Sequence, residues 1–137
     1  MGRLLAIDFG RVRSGIAVTD VLQIIANPLT TVSTNTLIDY LTNYCTTETV
    51  DKIIVGQPKQ MSGDDSDSMR YITPFVGRLR NALPHIPVVM YDERFTSVLA
   101  HKAMIAGGMK KSDRQNKANV DKIAACIILE DYLTTNI

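Results

Sequence analysis

Residues 3 to 9 and 14 to 20 alternate or run apolar in the manner of β-strands, separated by the short polar stretch Arg11-Val12-Arg13. A third such run, LQIIANPLTTVS, covers residues 22 to 33, so the first third of the chain reads as an antiparallel meander. Asp20 is expected to close the first hairpin. Pro28 cannot donate a ladder hydrogen bond and so belongs at a sheet edge or on a bulge. The period then changes. Asn35 or Thr36 can cap a helix running to about Cys45, with Leu37, Ile38, Leu41 and Tyr44 or Cys45 on one stripe.

Residues 51 to 56 (DKIIVG) form a short buried strand, followed by the polar loop GQPKQMSGDDSDS. Met69, Ile72, Val76, Leu79 and Leu83 recur at helical spacing, and Pro74 within them predicts a kink or a late helix start. Pro87 to Tyr91 is another strand. Thr96 or Ser97 would cap a helix ended by Gly107-Gly108; residues 109 to 118 form a basic loop. Asn119 would cap a last helix reaching about Leu133, with Val120, Ala124, Ile127 and Ile128 for the core. The order βββαβαβαα implies an α/β fold. Its five-stranded sheet is mixed, three antiparallel strands and then two parallel ones, with helices on both faces.

The totals add little to that picture and exclude several others. With 137 residues, 45% hydrophobic and 21% charged, the chain has the composition of one ordinary globular domain spanning residues 1–137. No apolar run approaches the roughly 20 residues of a membrane span, so a cytoplasmic location is expected and no membrane partner. Cys45 and Cys126 show no CxxC spacing and are expected reduced. The net charge of +1 conceals a segment, Arg94 to Lys122, with seven basic residues against two acids. A local +5 suits a polyanion.

Three carboxylates interrupt apolar faces. Along the first strand Leu4, Ala6 and Asp8 share one side, so Asp8 continues a buried face. In the last helix Asp121 lies roughly 40° from Ala125 and roughly 20° from Ile128, and it too heads a buried stripe. The third is Asp92 or Glu93, where the strand Val88-Val89-Met90 gives out. Sites of open α/β sheets sit at the carboxyl ends of strands, where these distant acids can meet. Carboxylates about 4 Å apart repel by roughly 4 kcal/mol at an effective dielectric of 20, so such a cluster calls for a cation or a raised pKa. Mg²⁺, with Mn²⁺ as an alternative, suits an all-oxygen set completed by substrate phosphate. His85 and His101 lack metal-ligand spacing, and Asp64, Asp65 and Asp67 lack the spacing of a calcium loop; these read as solvated or capping residues.

The segments AIDFGRVRSGIAVTD, IANPLTTV, IVGQPKQMSG, YDERFTSVLA and KKSDRQNKANVDKIAACIILEDYL together resemble the YqgF or RuvX-like family of proposed pre-16S rRNA nucleases, nearly end to end. That resemblance implies an RNase H-like fold related to Holliday-junction resolvases, a role at the 5′ end of the small-subunit rRNA precursor, and Asp8, Glu93 and Asp121 as the Mg²⁺-holding acids. The corresponding mechanism is two-metal phosphodiester hydrolysis, with Asp8 bridging and Glu93 and Asp121 each completing one side. Arg11, Arg13, Lys59, Arg94, Lys110 and Lys111 are candidate phosphate contacts, and Thr96 and Ser97 at a helix start could add donors. The partner is nucleic acid, structured RNA or a DNA junction; two-site cutting would require a homodimer. Two rival readings carry different chemistry: an ATPase half-domain of the actin and sugar-kinase type, which shares the Asp8-Phe9-Gly10 hairpin, and a non-catalytic nucleic-acid-binding module.

Overall fold

The computed structural model describes residues 2–57, 69–92 and 117–135, with the backbone alone at 57, 92, 117–121 and 135. Its strands are β1 (Arg3–Asp8), β2 (Arg13–Thr19), β3 (Ala26–Ser33), β4 (Val50–Gln57) and β5 (Val88–Asp92). Its helices are α1 (Leu37–Thr47), α2 (Met69–Ala82) and α3 (Lys117–Thr135). The expected helix between Thr96 and Gly107 and the basic loop lie outside the described residues.

The sheet order is β3-β2-β1-β4-β5. β2 runs antiparallel to both β1 and β3, because the turns joining them are too short for a crossover. β4 pairs parallel with β1 and β5 parallel with β4. The helical connections through α1 and α2 permit this. The expected mixed five-stranded sheet is thus present.

Strand alternation divides the core in two. Leu5, Ile7, Ile16, Ile53 and Val55 pack with Leu37 and Leu41 of α1 and with Ile72, Phe75 and Leu79 of α2. On the other face Leu4, Ala6, Ala17 and Ile54 pack with Ala125, Cys126, Ile128, Leu129 and Tyr132 of α3. Small side chains on both sides of that second interface let α3 lie close on the sheet. Each fully buried Leu or Ile contributes roughly 1.5 to 3 kcal/mol.

Several boundaries differ from expectation for local reasons. Residues 21 to 25 are a turn, and Leu22, Ile24 and Ile25 are exposed despite their apolar character. The Asp20 carboxylate accepts N–H bonds from Leu22, Ile24 and Ile25 at 2.8 to 3.1 Å, and Gln23 adopts a φ of 59°. Asp20 therefore closes the second turn, between β2 and β3, and not the first. Pro28 meets both of its expected conditions: β3 is the sheet edge, and the register slips beside it, Ile16 facing Thr30 while Ala17 faces Pro28.

α2 neither starts late nor stops at Pro74 but runs through it. Burial of Ile72, Phe75, Val76 and Leu79 outweighs the one backbone hydrogen bond that proline forgoes. Thr36 precedes α1 without a side-chain cap, its hydroxyl donating to the Ser33 carbonyl at 3.0 Å. The last helix begins at Lys117, two residues before Asn119, and Ile127 is only half-buried. Both cysteines are free.

Candidate active site

Asp8 is the last residue of β1, half-buried, and pairs with Gly15 of β2. Its place in the series Leu4, Ala6, Asp8 puts it on the α3 face. Gly15 opposes it with no side chain, and the parallel register of Ile7 with Val55, carried one residue on, brings Gly56 alongside. Two glycines thus leave room around a carboxylate at the rim where β1, β4 and β5 all end.

The turn after Asp8 is held by a closed relay of hydrogen bonds. The Gly10 N–H donates to the Ser14 hydroxyl at 3.3 Å, and the Thr34 hydroxyl donates to the Gly10 carbonyl at 2.6 Å. The Ser14 and Thr34 oxygens are 2.8 Å apart. Thr34 has committed its proton, so Ser14 is the donor between them. Ser14 is fully buried, and the relay satisfies the hydroxyl that burial would otherwise penalise. A Cβ at Gly10 would come within 2.2 Å of the Arg13 carbonyl oxygen, so only glycine fits that turn. Phe9 points to the opposite face, its ring centroid 4.9 Å from that of Phe75.

Of the basic candidates, Arg11 is exposed in this turn and Arg13 begins β2, half-buried. Arg11 sits with its guanidinium 4.4 Å from the Tyr71 ring centroid. Lys59, Glu93, Arg94, Thr96, Ser97, Lys110 and Lys111 lie outside the described residues, as do His101 and the Asp64 to Asp67 segment. His85 is exposed, in keeping with a solvated role.

The other two acid positions are set by backbone. Asp92 ends β5 opposite Gln57. Val88 and Met90 pack on the α1/α2 side, Val89 and Tyr91 on the α3 side. Odd positions of β5 therefore belong to the face that Asp8 occupies. Asp121 falls in the second turn of α3, on the stripe continued by Ala125, Ile128 and Tyr132. The last turns of α3 sit at the far end of the sheet from Asp8: Lys52, early in β4, donates to the Tyr132 hydroxyl at 2.8 Å, and Leu133 and Thr134 border Ile24 and Ile25. The first turns consequently run toward the rim where Asp8 stands. Among the described residues no three His, Cys, Asp or Glu side chains gather closely enough to hold a metal ion; the Glu93 and Asp121 side chains are not among them.

Sequence reasoning missed Arg70, Tyr71 and Arg78, which with Arg11 and Phe75 line a cleft of about 840 Å³ beside the turn. The signal was the recurrence of Arg70, Pro74 and Arg78 at four-residue steps, one side of α2.

Comparison with known proteins places this geometry. A family model described as RuvX, Holliday junction resolvase, matches residues 2–135. A protein of Phocaeicola vulgatus named "Putative pre-16S rRNA nuclease" is 62% identical over 97% of this chain and 96% of its own length. A protein of the same name from Bacteroides fragilis is 58% identical over 98% of each chain. Among solved structures, Thermus thermophilus RuvC in complex with a Holliday junction substrate superposes with a TM-score of 0.60, covering 98% of this chain and 96% of RuvC. At 18% identity that likeness establishes the fold, which is RNase H-like. The chain belongs to the RuvX family.

Proposed function

We propose that this chain is a metal-dependent nuclease that hydrolyses phosphodiester bonds in structured RNA, acting in 5′-end processing of the 16S rRNA precursor. The observation that carries the reading is Asp8: a carboxylate ending a central strand at the carboxyl rim, given room by Gly15 and backed by a locked turn. The names of the relatives support the RNA substrate.

Asp8, Glu93 and Asp121 would hold Mg²⁺ or Mn²⁺. The donors are all carboxylate oxygens, the set that a hard divalent cation prefers. Glu93 is favoured over Asp92 because it is the next odd position after Val89 and Tyr91, whose side chains share the α3 face. Bound metal would supply an activated water and neutralise the leaving oxygen. Arg13 would contact phosphate beside the scissile bond, and Arg11, Lys59, Arg94, Thr96, Ser97, Lys110 and Lys111 would extend the phosphate contacts along the strand. No described helix is long and apolar enough to cross a membrane, in keeping with the cytoplasmic role proposed. A homodimer would set two such sites for paired cuts.

The family model's description favours a second reading, cleavage of four-way DNA junctions. One assay covers both: purified protein with precursor 16S RNA and with four-way DNA junctions, each with Mg²⁺ and with chelator. The expected outcome is Mg²⁺-dependent RNA cleavage that Asp8→Asn abolishes with little change in melting temperature. Equal cutting by native and D8N protein contradicts the reading, and cutting of the junction alone transfers it to DNA.

A further inference from the structure

We infer that the cleft walled by Arg11, Arg70, Tyr71 and Arg78 binds the phosphate backbone of the nucleic-acid strand flanking the scissile bond, an inference that rests on the nuclease reading above. The cleft, of about 840 Å³, lies between the β1–β2 turn, the start of α1 and one side of α2. Its floor is apolar, formed by Phe9, Pro74 and Phe75. Its walls carry three exposed arginines and, among the described residues, no acid. Among the described residues none of the three arginines forms an ion pair.

The Tyr71 ring partly compensates this concentration of like charge. The Arg11 guanidinium lies 4.4 Å and that of Arg70 5.1 Å from its centroid, within the range where the electron-rich ring face attracts a cation. Those contacts hold the two guanidiniums in place while leaving their N–H groups to donate to an anion. Guanidinium and phosphate match in charge and in bidentate geometry.

Spacing distinguishes a strand from a small anion. Arg70 and Arg78 are eight residues apart in one helix, about 12 Å along its axis at 1.5 Å per residue. A single phosphate cannot engage both in the same way, whereas successive phosphates of a chain can. Continuity with the candidate active site supplies the second argument. Phe9, on the cleft floor, directly follows Asp8, and Arg11 belongs to the turn that locks Asp8 in place. A strand whose scissile bond sits on the α3 side of the rim would cross the β1–β2 turn and continue over Arg11 onto α2.

The test is fluorescence anisotropy of a short 5′-labelled single-stranded RNA in chelator, across a salt series. The double variant R70Q/R78Q should bind at least tenfold more weakly, and its log-affinity against log-salt slope should fall by about 1.4, two contacts at roughly 0.7 each for a single strand. R70K/R78K, which keeps the charges, should retain most of the slope. Both arginines are exposed, so circular dichroism melting should be unchanged. Native affinity and slope in R70Q/R78Q would overturn the inference, as would displacement of the RNA by AMP, which carries one phosphate, at concentrations near the RNA's own Kd. The two readings fail separately. Asp8-dependent cleavage with unaltered binding by R70Q/R78Q removes the cleft alone, and an inactive native protein whose binding still depends on Arg70 and Arg78 removes the nuclease alone.

Discussion

The Ser14 and Thr34 hydroxyl oxygens lie 2.8 Å apart in the middle of a cycle that starts and ends on the Gly10 backbone. That cycle ties the turn after Asp8 to the segment leading into α1, twenty residues further along. Ser14→Ala strands the Gly10 N–H and removes the proton donated to Thr34. The expected cost is about 1 to 3 kcal/mol, the penalty for leaving buried polar groups unpaired. Urea denaturation of native and S14A protein measures it, and cleavage should fall even at low temperature, where S14A stays folded, because the turn also positions Asp8. An S14A protein of native stability would show that the cycle is incidental.

Phe75 of α2 packs against Phe9, the residue after Asp8, with its ring tilted 38° to that of Phe9. It is almost wholly buried, and Phe75→Ala should destabilise the fold by about 3 to 5 kcal/mol through lost transfer energy and the cavity left behind. Thermal or urea unfolding checks this; a loss under about 1 kcal/mol would mean that the site relaxes around the gap.

Asp20 supplies a pH dependence. The N–H groups of Ile25 and then Ile24 hold its carboxyl below the ordinary aspartate value, against a smaller opposing effect of burial. A carboxyl depressed in the folded state stabilises it above the unfolded value of about 3.9 and loses that contribution as pH falls through the folded value. The difference in melting temperature between native protein and Asp20→Asn should therefore be constant near neutrality and shrink below about pH 4. A difference that stays constant into strong acid would assign the effect to hydrogen-bond geometry instead of charge.

The same residue marks what the sequence could and could not convey. Alternation of Leu5 and Ile7 against Leu4 and Ala6 is a period-two signal, and it correctly assigned these residues to the two faces. Val21, Leu22, Ile24 and Ile25 look like strand residues, but three N–H bonds to one carboxylate and a positive φ at Gln23 determine a turn there. Pro74 argues for a break when read locally, whereas the burial of Phe75, Val76 and Leu79 is a tertiary effect that overrides it. The arginine cleft was illegible for a related reason: Arg11 and Arg70 are distant in sequence and become neighbours only when α2 docks beside the β1–β2 turn.

The cysteines offer a chemical check on the α3 interface. Burial and the neighbouring Glu130 push the Cys126 thiol up to about 12, and burial also raises that of Cys45. Thiolate is the reactive form, so both should react slowly with Ellman's reagent at pH 8 in the native protein, Cys126 the more slowly, and both promptly in denaturant. Rapid modification of Cys126 in the folded protein would mean that α3 does not stay packed on Ala6 and Ala17.

The central proposal is that Asp8, Glu93 and Asp121 together hold divalent metal. Electron paramagnetic resonance of Mn²⁺ bound to native protein and to the single variants D8N, E93Q and D121N measures it without any substrate. The account predicts that each substitution weakens Mn²⁺ binding at least tenfold. Native Mn²⁺ affinity in all three variants would contradict it.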